Sequence, residues 1–152
     1  MWARAIHDAT DRAGIQELLI NAELMDRPQA QDVQVIVEGP GHVPIDEIAT
    51  TVQLMKRVTN NKPFYMLRPT VTDIAHGYDD RVATIGAAIS SSLGADLICY
   101  VTPAEHLALP TPEVVYVGVI SSRIAAHIGN MVKLKKTRTA DLEMGHARRE
   151  PD

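Results

Sequence analysis

The chain has 152 residues, 45% of them hydrophobic and 22% charged, a length and balance that suit one globular domain with its own core and are too short for two. Its formal net charge of -4 argues against nucleic acid or an anionic membrane surface as a partner, since both favour a basic stripe. The longest apolar runs, Ile85 to Ile89 and Val114 to Ile120 among them, fall far short of the roughly 20 residues that cross a bilayer, and the amino terminus lacks a signal-peptide core, so the expected compartment is the cytoplasm.

In chain order, Ile15, Leu18, Leu19, Ala22 and Met25 recur at the spacing that puts one apolar stripe on one helix face. The β-branched run Val33 to Val37 follows and stops at Glu38 and the turn residues Gly39, Pro40 and Gly41, as a buried parallel strand does. Ile45, Ile48, Ala49, Val52 and Met55 predict a second helix with Asp46 and Glu47 in its first turn, where carboxylates suit the dipole. Pro63 to Leu67 predicts a second strand. Asp79 or Asp80 is placed to cap a third helix carrying Ile85, Ala88, Ile89 and Leu93, which Gly94 closes before a third strand at Ala95 to Val101.

A fourth helix, after a proline-rich turn, uses Ile120, Ile124, Ala125, Ile128, Met131 and Val132. A short strand at Val114 to Ile120 is the alternative there. Strands about thirty residues apart with helices between them are the period of parallel βαβ units, so the class is α/β. Either an open doubly wound sheet or a piece of a barrel satisfies that period. The expected division is a βα domain over 1–134 and a polar tail over 135–152, a solvated helix or frayed end with Lys135, Lys136, Arg138, Arg148 and Arg149. One cysteine, Cys99, excludes an internal disulfide and reads as a small buried hydrophobe.

Chemistry in a parallel α/β sheet gathers in the loops after the carboxyl ends of the strands. The first such loop, Glu38 to Pro44, holds a carboxylate and the His42 imidazole on a turn stiffened by two glycines and two prolines. The second carries Tyr65, Arg68, Thr72, Asp73, His76, Tyr78 and Asp79, and the third runs from Tyr100 to His106. Two imidazoles in neighbouring loops suit a shared divalent cation with open positions. Spacing alone equally allows ordinary hydrogen-bonded loop histidines, and Glu38 equally reads as a helix cap or ion-pair partner.

The blocks Val33-Gln34-Val35-Ile36-Val37-Glu38-Gly39-Pro40-Gly41-His42-Val43-Pro44, Thr72-Asp73-Ile74-Ala75 and Cys99-Tyr100-Val101-Thr102-Pro103-Ala104-Glu105-His106-Leu107-Ala108-Leu109-Pro110 resemble the phosphomethylpyrimidine synthase family, from about Asp8 to about Glu150. That resemblance implies a (β/α)8 TIM-type barrel, of which this chain forms a later part. It implies radical S-adenosylmethionine chemistry that turns aminoimidazole ribotide into hydroxymethylpyrimidine phosphate for thiamine biosynthesis. Glu38 and Tyr65 match positions that contact the substrate; His42 and His106 match two ligands of a divalent metal, zinc or iron.

The chain departs from the family pattern at Arg68, His76 and Asp80, where glycine, proline and histidine are usual. The family's 4Fe–4S motif, C-x-x-C-x-x-x-x-C, has no counterpart in a sequence with one cysteine. A truncated member is therefore expected, one that assembles as a homo-oligomer or with a complementary barrel fragment. The alternatives are a metal- or ribotide-binding unit without activity of its own, and a relative of hydroxybenzimidazole synthase.

Overall fold

A computed structural model describes residues 5–67 and 69–149. After a 3-10 turn at Ile6–Asp8, helix α1 spans Arg12–Gln29. It starts where the Asp11 carboxylate accepts the Gly14 N–H at 2.7 Å, an N-cap that serves one of the unpaired donors of the first turn. Of the expected stripe Leu18, Ala22 and Met25 are buried, Ile15 is partly buried and Leu19 is exposed.

Strand β1 is Val37–Gly39, not Val33 to Val37. The Val33 N–H is spent on the Pro28 carbonyl, which makes residues 30–33 the turn that leaves α1. Val33 and Ile36 are left exposed. Ladder pairing starts only at Val37, whose N–H reaches the Pro63 carbonyl. Helix α2 spans Ile48–Val58, so Ile45, Asp46 and Glu47 fall in the turn before it rather than in its first turn. Glu47 sits at the N-cap without a side-chain cap bond and instead accepts the Thr10 hydroxyl. The chain then reverses through Asn60 and Asn61, at φ 51 and 64. Asparagine tolerates this left-handed backbone better than most residues.

Strand β2 is Phe64–Met66, helix α3 is Asp79–Leu93, and strand β3 is Leu97–Ile98. The expected third strand, Ala95 to Val101, is thus cut to two paired residues, because β2 alone offers it a ladder. Asp79 and Asp80 lie inside the first turn of α3, with Tyr78 at the N-cap, so neither is the cap. Gly94, at φ 126, closes α3 as expected. Helix α4 runs unbroken over Pro112–Lys133, which settles Val114 to Ile120 as helix. A 3-10 turn at Lys135–Thr137 leads into α5, Arg138–Ala147, none of whose described residues is buried.

Among the described residues the sheet has three parallel strands in the order β1-β2-β3, as the βα period predicts. Val37 pairs with Phe64 and Gly39 with Met66, and these buried residues form the face that receives α1 and α2. Ile48, Val52 and Met55 of α2 complete the core with Leu18, Met25 and Val43. The opposite face carries the row Glu38, Tyr65 and Leu97, which is exposed or half-buried. Asp96 clamps the sheet to the last turn of α2: its carboxylate accepts the Lys56 ammonium at 2.7 Å and the Phe64 N–H at 2.8 Å.

Candidate functional site

The loops after the three strands are laced together before any side chain of the site is placed. His42 and Thr70 form a parallel bridge: the Thr70 N–H reaches the Gly41 carbonyl at 2.9 Å and the Val43 N–H reaches the Thr70 carbonyl at 3.0 Å. This extends the β1–β2 pairing past the turn and fixes the backbone beneath the His42 imidazole. Across the sheet, the Asp79 N–H donates to the Pro103 carbonyl at 3.0 Å, joining the first turn of α3 to the third loop. Glu105 accepts both the N–H and the hydroxyl of Thr102, at 3.1 and 2.6 Å, which closes the turn presenting His106. At Gly86 a Cβ would stand 1.8 Å from the Pro69 carbonyl, so only glycine lets α3 lie this close to the second loop.

These loops bound a cleft of about 290 Å³ lined by His42, Thr70, Thr72, Asp73, His76, Asp79 and His106, with Ala5 at its edge. The imidazoles of His42 and His106 face each other with ring centres 5.2 Å apart and planes tilted by 52°. Each has a carboxylate beside Nδ1, hydrogen-bonded at His42 and at ion-pair distance at His106. Asp73 lies 2.9 Å from His42, and Asp79 lies 3.1 Å from His106 while also accepting the His106 N–H at 3.3 Å. Burial pushes the Asp73 carboxyl up, but the Ile6 N–H and the His42 imidazole, with the charges of His42 and His7, outweigh it and hold the group below the ordinary carboxylate range.

The separation of the rings fits a shared cation. Two imidazoles on one tetrahedral ion, at metal–nitrogen distances of about 2.0–2.1 Å, have ring centres roughly 5 Å apart. With both Nδ1 atoms engaged, both Nε2 atoms are left for such an ion. Among the described residues no group of three or more histidine, cysteine or acidic side chains is arranged around one point. An ion held here would take two ligands from this pair and have its other positions open.

Of the residues singled out in the sequence, His42 and His106 are therefore brought together. Glu38 and Tyr65 are brought together as well, as register partners on β1 and β2, but on the open face of the sheet and not in the wall of the cleft. His76 lines the cleft from an exposed position. Arg68 lies outside the described residues. Asp80, buried in α3, accepts the Ser121 hydroxyl of α4 at 3.1 Å and so belongs to helix packing. The pairing of Asp73 and Asp79 with the two imidazoles was not foreseen, although both were read as part of a polar cluster; their distances in sequence to His42 and His106, 31 and 27 residues, carry no local signal.

Among curated relatives, the phosphomethylpyrimidine synthase of Methanoregula boonei is 84% identical over 152 residues, and that of Methanocorpusculum labreanum is 76% identical. Phosphomethylpyrimidine synthase 1 of Methanosarcina barkeri is 63% identical. Each alignment takes in all of this chain and 36% of the relative, so the chain spans about a third of the length of the relatives it matches. Since the sequence profile of the radical SAM ThiC family matches residues 1–152, the chain belongs to that family.

Proposed function

We propose that these residues form part of a phosphomethylpyrimidine synthase of thiamine biosynthesis, which converts aminoimidazole ribotide to hydroxymethylpyrimidine phosphate by radical S-adenosylmethionine chemistry. The observation that carries this reading to a site is the facing pair His42 and His106, each with Nδ1 engaged. In it, both histidines hold one divalent cation, zinc or iron, through Nε2. Bound there, the cation supplies a Lewis acid that orients and polarises polar groups of the substrate.

Glu38, an acceptor when ionised, takes a hydrogen bond from an amine or hydroxyl of the ribotide, and Tyr65 beside it offers a phenol that both donates and accepts. The three βα units are, in this reading, part of a (β/α)8 barrel whose interior is the face carrying Glu38, Tyr65 and Leu97, with the histidines at the strand carboxyl ends. Further barrel strands, from a second copy or a complementary segment, pair with the open edges of β1 and β3. The compartment is the cytoplasm. Among the described residues no helix is long and apolar enough to cross a membrane. A 4Fe–4S cluster takes several thiolates, and Cys99 is the single cysteine of the sequence, so these residues do not hold it. By itself the chain binds metal and ribotide; the radical step needs ligands it does not carry.

The test is metal content and calorimetric titration of the chain with zinc, for the wild type and for His42→Ala and His106→Ala. One ion per chain, lost in both variants, is the expected result. A wild type that takes up no zinc, or single variants that bind as the wild type does, would sink the metal assignment.

A further inference from the structure

Each imidazole of the cleft has a carboxylate beside its Nδ1 atom: Asp73, from the loop after β2, is hydrogen-bonded to His42, and Asp79, from the first turn of α3, stands 3.1 Å from the His106 Nδ1 as an ion-pair contact and accepts the His106 backbone N–H. An ionised carboxylate only accepts hydrogen bonds and repels a lone pair, so it favours the proton on the Nδ1 atom beside it, through a hydrogen bond at His42 and through its charge at His106. A neutral imidazole protonated at Nδ1 has its lone pair on Nε2, the atom left for a cation. We infer that Asp73 and Asp79 are positioning residues, which select this tautomer in His42 and His106 and aim both Nε2 atoms at one divalent cation. The inference rests on the metal reading proposed above and deepens it.

A second hydrogen bond at each carboxylate favours positioning over incidental contact. The carboxylates do not hold the rings alone. Asp73 also accepts the Ile6 N–H at 2.8 Å, and Asp79 also accepts the backbone N–H of His106, so each carboxylate is itself fixed from a second direction.

The two pairs differ in exposure, and the difference ranks them. The Asp79 side chain is 6% exposed and that of Asp73 39%, while the imidazoles beside them are 32% and 15% exposed. Water can replace Asp73 as the acceptor for His42, but the buried space of Asp79 offers His106 no such substitute. Outer partners of metal-bound histidines change metal affinity by about 10–100-fold when removed. Asp79 should lie toward the upper end of that range and Asp73 toward the lower.

The experiment uses the full chain and zinc as the probe, with Asp79→Asn, Asp79→Ala, Asp73→Asn and Asp73→Ala beside the two histidine variants. Long-range proton–nitrogen NMR of the metal-free chain reads the tautomers directly. The expected spectrum has Nδ1–H on His42 and His106, and each aspartate substitution weakens that preference at its own partner alone. Calorimetry should show zinc bound about 10–100-fold more weakly in the Asp79 variants and less affected in the Asp73 variants, with far-UV circular dichroism unchanged. Asn nearly preserves the volume of Asp, so the Asp79→Asn chain keeps the test open if Asp79→Ala does not fold. Aspartate variants that bind zinc as tightly as the wild type, while histidine variants do not bind at all, would overturn the positioning role and leave the metal site standing. A wild-type chain without zinc affinity would overturn the metal site and, with it, this inference.

Discussion

Helices α2 and α4 look alike in the sequence, each an amphipathic stripe at helical spacing, yet they are buried by opposite means. In α2 the large residues face inward: Ile48, Val52 and Met55 are fully buried against Phe64 and Met66. In α4 the residues buried are Gly118, Ala125 and Gly129, while Val117, Ile120, Ile124, Ile128 and Val132 are exposed or nearly half-exposed. Of the stripe that identified α4 as a helix only Ala125 is buried, while its isoleucines and Val132 stay exposed. The small residues decide how closely α4 packs: Gly129 lies against Ser91 of α3 and Gly118 against the Val101 carbonyl of the third loop, where larger side chains have no room. Periodicity reports that a helix has two faces; it does not report which one a neighbour covers.

The largest effect that tests this contrast is Met55→Ala. It removes a fully buried side chain from the α2 face, and urea denaturation should show a loss of about 2–5 kcal/mol. A loss below 1 kcal/mol would mean that the core is not organised around α2. Next comes Gly118→Val on α4, whose Cβ would stand 2.3 Å from the Val101 carbonyl. The expected cost is about 1–3 kcal/mol from overpacking, and wild-type stability would show that α4 does not lie against the third loop as described.

Smallest in stability is Ile124→Ser, from the exposed stripe, which should stay within about 0.5 kcal/mol of the wild type. Its sharper readout is sedimentation. Contiguous exposed apolar surface favours association, so combining Ile124→Ser with Ile128→Ser should shift the chain toward monomer at fixed concentration. An unchanged distribution would assign any self-association to another surface, such as the open edges of β1 and β3.

The site was legible to different depths at different residues. His42 and His106 stand out because they occupy loops after strands, and a parallel sheet brings such loops to one end whatever the distance in sequence. Glu38 and Tyr65, expected in the loops after the strands, lie instead inside β1 and β2, where register makes them neighbours. Alternation along a strand then turns them to the open face, while Gly39 and Met66 turn to the core. The role of Asp79 was misread as a helix cap, because a carboxylate before an apolar stripe has that meaning locally. Its partner is His106, 27 residues away, and the bond exists only because α3 and the third loop meet at the Pro103 carbonyl.

The sequence by itself determined the α/β class, the order of its helices and strands, the buried stripes of α1 and α2, and two imidazoles at one end of a parallel sheet. These are consequences of local periodicity, turn chemistry and the fixed geometry of βα units. Only the tertiary structure decided how short the strands are, which face of α4 is covered and which carboxylate holds which imidazole. Strand length depends on a neighbour to pair with, burial on the shape of the facing helix, and the Asp–His pairs on distances between residues far apart in the chain. Each is a property of two segments at once, and no single segment encodes it.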